Sequence, residues 1–135
     1  MKALDTNVLA RFFIDDADDP QAARQRPAAV AALSERAFVP VTVILEFEWV
    51  MRGFYNLPRR DVVAVLRALA GIEHITIEDR DAVLVALDAF DAGLDFADAL
   101  HMSRSAHAAA FATFDQRLAR RARGLAMAPT VELLR

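Results

Sequence analysis

No cysteine occurs in this chain, and it has only one lysine, one tryptophan and four glycines. The missing cysteines exclude disulfides and thiolate chemistry, and they remove the softer half of the usual zinc ligand set. Three scattered histidines, His74, His101 and His107, do not replace it. There is no glycine-rich phosphate loop, and no Ser-His or Cys-His pair in a setting for nucleophilic catalysis. No charge-free stretch is long enough to cross a bilayer, so no membrane contact is expected. Met1 and Lys2 lead into an apolar run that meets Asp5 almost at once, which leaves no room for a signal-peptide core. The expected compartment is the cytoplasm.

At 135 residues the chain has the size of one domain, expected to span 1–135 and to bury a real core. The 56% hydrophobic content owes much to alanine. Net charge is −3, with 19 acidic residues against 16 basic ones, so the overall balance does not announce a nucleic-acid binder. Distribution is more telling than the sum. Fifteen of the basic residues are arginine, and Arg117, Arg120, Arg121 and Arg123 crowd one short segment. Arg117, Arg120 and Arg121 fall at i, i+3 and i+4, hence on one helix face. That face is either solvated or a set of phosphate contacts.

The pattern predicts strands alternating with helices. A strand at 2–4 gives way to a helix over 8–13, and DDADDP (15–20) is a turn in which Asp19-Pro20 suits a helix start. The next helix runs to about Arg36, with Pro27 expected to kink or split it, because an interior proline costs about 3 kcal/mol. FVPV (38–41) reads as a strand, and Thr42 caps a helix from Val43 to about Tyr55. Asn56-Leu57-Pro58 breaks that helix and starts another ending near Gly71. ITI (75–77) is a strand, 79–92 a helix closed by Gly93, and Asp95 begins a helix to about Ala108. AFATF (110–114) is a strand that ends, like the first, on an aspartate. Such alternation implies an α/β fold, a central parallel sheet with helices on both faces, whose ligands bind beyond the carboxyl ends of the strands.

Several acids lie where that edge would be. Asp5 follows the first strand and Asp115 the last one, and either could simply cap the helix after it. In VILEFEWVMR, Glu48 has Arg52 four residues on and reads as a solvated ion pair. Glu46 has only Thr42, Val43, Trp49 and Val50 around it and needs an outside partner. In LDFADALH, Asp95 suits an N-cap and Asp98 the first turn, with His101 on the Asp98 face. Clustered carboxylates repel one another unless a cation offsets the charge. All-oxygen ligation favours Mg²⁺ or Mn²⁺, and such an ion with open positions suits phosphodiester hydrolysis.

These same residues carry a family resemblance. From LDTNVL through LEFEWVMR and DFADALH to ATFD, the chain resembles a PIN-domain ribonuclease of the VapC-like toxin type, over nearly its whole length. The resemblance implies a PIN-like three-layer sandwich and makes Asp5, Glu46, Asp98 and Asp115 the metal-binding catalytic acids, supported by Thr6, Asn7 and Asp95. It also implies an RNA-cleaving, Mg²⁺- or Mn²⁺-dependent toxin that forms a homodimer and is silenced by a cognate antitoxin protein. Two other strand-end-aspartate chemistries fit less well. A haloacid-dehalogenase-type phosphatase wants an aspartate where Asn7 stands, and a receiver domain wants a lysine on a late strand, whereas the one lysine is Lys2. The serious alternative is a PIN-like module that binds RNA or protein without cutting.

Overall fold

Three parallel strands organise Met1–Glu78 in the computed structural model, which describes residues 1–135. Strands β1 (Lys2–Ala3), β2 (Ala37–Val39) and β3 (Ile75–Ile77) lie side by side in that order, with Ala3 opposite Phe38 and Val39 opposite Ile77. Because all three run the same way, their carboxyl ends share one edge. Helices α1 (Thr6–Phe13) and α2 (Pro20–Leu33) connect β1 to β2, and α3 (Val41–Trp49) and α4 (Arg59–Ala70) connect β2 to β3. Leu9, Val39, Ile44, Phe47, Met51, Val62 and Leu69 are the centre of this unit's core.

Asp79–Arg135 forms a second compact unit. It contains α5 (Arg80–Asp91), α6 (Phe96–Ser103), β4 (Phe111–Thr113), α7 (Gln116–Gly124) and β5 (Val131–Leu133), with β4 and β5 paired in parallel. Phe90 and Phe96 meet edge to face at 5.6 Å, and Leu87, Leu94 and Met102 are buried in the same unit. The α5–α6 connection requires glycine: Gly93 has φ of +116°, a conformation that side chains resist. Every strand pairing is parallel and helices intervene throughout, so the fold is the expected α/β, PIN-like type.

Local expectations fail in four places, each for a physical reason. Helix α2 is not split at Pro27, which stands inside its Pro20–Leu33 span. Pro27 and Ala23 are both exposed, so the carbonyl that loses its partner faces water, while Ala22, Ala29 and Leu33 bury the opposite side. Thr42 does not cap α3. The helix starts two residues earlier than expected, at Val41, and the Val41 amide donates to Glu78 Oε1 at 2.8 Å, a partner that arrives from the end of β3. The last turn before Tyr55 widens to a π-helix over Val50–Phe54, closed where Asn56 turns left-handed at φ of 56°. Finally, α6 stops at Ser103 rather than Ala108, and Arg104 reaches across to Asp79 at 2.9 Å. Strand β5 had no counterpart among the expected elements, although Val131-Glu132-Leu133 alternates as a strand should.

Candidate active site

Asp5 stands two residues beyond β1 and is the N-cap of α1. Its Oδ1 accepts the Thr6 amide at 2.8 Å, so the cap role is real and occupies only one of the two oxygens. Thr6 itself is buried, and its hydroxyl donates to Glu46 Oε1 on α3. One threonine thus joins the first turn of α1 to the acid on the helix after β2, and it orients a carboxylate that is otherwise exposed. Asn7 lines a groove between α1 and α2 with Val8, Arg11 and Ala29.

The two glutamates of α3 exchange the settings expected of them. Glu48 is 1% exposed and gripped by Arg52, whose Nε lies 2.7 Å from Oε2. Glu46 is exposed. The reason is helical phase: Val41, Ile44 and Glu48 fall at i, i+3 and i+7 on the buried side, whereas Thr42, Glu46 and Trp49 share the open side. An Arg52 partner four residues on suggests a surface pair, but the guanidinium reaches in from the rim and neutralises a buried charge. The buried stripe itself was readable, and it would have identified Glu48.

The second unit holds the remaining acids. Asp95 caps α6, its Oδ2 accepting the Asp98 amide at 3.2 Å. Asp115 follows β4 and caps α7, its Oδ1 taking the amides of Arg117 at 2.9 Å and Leu118 at 3.1 Å. Thr113 steadies that turn by accepting the Asp115 amide at 3.0 Å. Asp98, in the first turn of α6, caps nothing. Burial, and after it the charges of Asp95 and Asp115, push its carboxyl above the ordinary value, and nearby His101 opposes them. Glu78 and Thr113 are positioning residues that the sequence reading missed: Glu78 acts on a backbone amide 37 residues away that the fold brings to it, whereas Thr113 bonds the amide two residues on, a local turn that its place just before Asp115 could have signalled.

The arginines after Asp115 divide. Arg121 donates to the Gly93 carbonyl at 2.8 Å, tying α7 to the α5–α6 turn. Arg120 and Arg123 line an open groove, while Arg117 is exposed outside it.

Chemically, the acids fit a hard divalent cation: every donor is oxygen, and burial and the charges of Asp95 and Asp115 disfavour the ionised Asp98 more than His101 favours it. No three histidine, aspartate or glutamate side chains already converge as a ligand group. The strain on Asp98 has a testable sign. With its carboxyl raised in the folded state, ionisation destabilises the fold above that value, and the penalty vanishes as pH falls toward the ordinary 3.8. Without metal, Asp98→Asn should therefore melt higher than the parent protein at neutral pH, and the difference should shrink to nothing by about pH 3–4. A gap that persists at low pH would trace the effect to something other than charge.

No helix is long and apolar enough to cross a membrane. Comparison with curated proteins and with solved structures gives no significant match. The PIN domain family, by contrast, matches residues 2–124, a span that includes Asp5, Glu46, Asp95, Asp98 and Asp115, and PIN domains are generally nucleases. A match running from the first strand to the end of α7, on parallel strands that hand their chain to acid-capped helices, makes this chain a member of the PIN domain family.

Proposed function

We propose that this protein is a metal-dependent endoribonuclease that hydrolyses RNA phosphodiesters as the VapC-like toxin of a toxin–antitoxin pair. The observation that carries the reading is Asp98, a half-buried carboxylate in the first turn of α6 that faces the charges of Asp95 and Asp115, with His101 only partly offsetting them, in a chain of a nuclease family. In this reading Asp5, Glu46, Asp98 and Asp115 hold Mg²⁺ or Mn²⁺ and serve one reaction, so that both compact units make up one functional domain over 1–135. The ion, when bound, supplies positive charge against the negative charge that builds on the phosphoryl group. Thr6 orients Glu46 through its hydroxyl, and Asp95 holds the first turn of α6 that presents Asp98. The resemblance to VapC-like toxins further supports a homodimer, a cognate antitoxin that covers the site, and action in the cytoplasm.

A non-catalytic RNA- or protein-binding module is the second reading, since a fold does not fix its function. Incubating the purified protein with single-stranded RNA in Mg²⁺, in Mn²⁺ and in EDTA separates the two. Cleavage in either metal and none in EDTA is expected. Intact RNA in all three would leave the binding module. A short neighbouring reading frame whose product binds the protein and stops cleavage would support the toxin assignment.

A further inference from the structure

The last twenty residues, 116–135, contain five arginines and one glutamate in a chain whose net charge is −3. Two of those arginines, Arg120 and Arg123, stand one helical turn apart on α7 and face an open groove of about 610 Å³. Arg135, Gln116, Leu133 and Leu134 complete its walls, and no carboxylate side chain lines it. Phe114 also lines it, with 74% of its surface exposed, the most open large apolar side chain of the protein. Phe114 is also the residue immediately before Asp115, so the groove starts beside one of the proposed catalytic acids.

We infer that this groove is a single-stranded RNA track, in which Arg120 and Arg123 hold consecutive stretches of phosphate backbone and Phe114 stacks a base next to Asp115. The inference rests on the nuclease reading for its choice of ligand. Charge complementarity selects a polyanion, and the exposed ring selects one that carries flat bases, because a stacking platform beside a basic groove is how proteins hold single strands without reading sequence. A duplex keeps its bases stacked on each other and offers none to Phe114. The division of the α7 arginines agrees: Arg121 is occupied by the Gly93 carbonyl, which holds the helix that presents the other two.

Binding and cleavage are measured separately, so that the two readings can fail separately. A fluorescent single-stranded RNA of mixed sequence is titrated with Asp98→Asn protein in EDTA across a salt series. Replacing Arg120 and Arg123 together with glutamine should remove two phosphate contacts. The log–log salt slope should then fall by about 1.4, and affinity at 0.1 M salt should drop roughly 25-fold, at about 0.7 log unit per contact per decade of salt. Phe114→Ala should weaken binding about 5- to 150-fold with the slope unchanged, as expected for a lost stacking contact. Arg24→Gln with Arg26→Gln, exposed on α2, serves as the control and should change neither. All these positions are exposed, and circular-dichroism melts verify that each variant folds. If the double arginine variant keeps the parent's affinity and slope, the groove is not the RNA track. If polyglutamate binds the groove through these arginines while RNA does not, the occupant is an acidic polypeptide and the inference fails. Cleavage by the unmodified protein in Mg²⁺ with groove-independent binding overturns this inference alone, whereas groove-dependent binding without cleavage overturns only the nuclease reading.

Discussion

Asp98→Asn and Asp5→Asn are each expected to lower RNA cleavage by about 10³-fold or more, a loss of about 4 kcal/mol of transition-state stabilisation. Both changes keep the shape of the side chain and remove its charge. The folds should survive for different reasons. Asn at position 5 still offers an oxygen to the Thr6 amide, so the cap on α1 is retained and stability should hardly move. At position 98 the substitution removes a charge that Asp95 and Asp115 oppose, which is why the gain in stability belongs to this variant alone. The double variant gives the sharper result. If the acids of the two units serve one reaction, removing the second should cost little beyond the first, because groups that act as a unit are strongly non-additive. Single-turnover cleavage by the parent, the two single variants and the double variant measures this. Losses that multiply would mean that the two acids contribute independently, and near-parental activity in either single variant would remove that residue from the site.

A pair of substitutions only two residues apart on α3 should give opposite outcomes. Glu46→Gln is expected to reduce cleavage about 100-fold with little change in melting temperature, since Glu46 is exposed and its one protein partner, Thr6, can still donate to an amide oxygen. Glu48→Gln should leave the catalytic step alone and lower stability by about 1–3 kcal/mol, the usual scale for losing a charged partner in a buried hydrogen-bonded pair. For a chain of this size that corresponds to a drop in Tm of about 3–10 °C. Reading Glu48 from its Arg52 spacing alone gives a few tenths of a kcal/mol instead, so the melt discriminates between surface and interior placement. A Glu46 variant with full activity and a lowered Tm would show that Glu46 is structural.

The acids and their settings were legible because caps and strand ends leave local marks: Asp5, Asp95 and Asp115 each precede a helical apolar pattern, and each caps that helix. The breaks at Asn56 and Gly93 were legible for the same reason, left-handed backbone having few hosts. What escaped depends on partners distant in sequence. Nothing near Val41 foretells that Glu78 will cap it, and nothing near Pro27 says that its helix lies with that side toward water. Glu48 is the instructive case, because two local signals conflicted there. The i, i+4 arginine argued for the surface and the apolar Val41, Ile44, Phe47 and Met51 on the same side argued for the interior, and burying those four side chains outweighs the few tenths of a kcal/mol of an exposed pair.

Strand β5 lies at 131–133, beyond the 2–124 span of the family match, yet it is the strand to which β4 is bonded. Phe111 donates to the Thr130 carbonyl and Leu134 to that of Thr113, each at 2.8 Å, so a clasp stands at either end of the strand that delivers Asp115. The segment beyond the matched span is therefore also the splint for the strand that leads into Asp115. In deuterated water the amide protons of Phe111 and Leu134 are a clock for that splint, each exchanging only when its end of the clasp lets go.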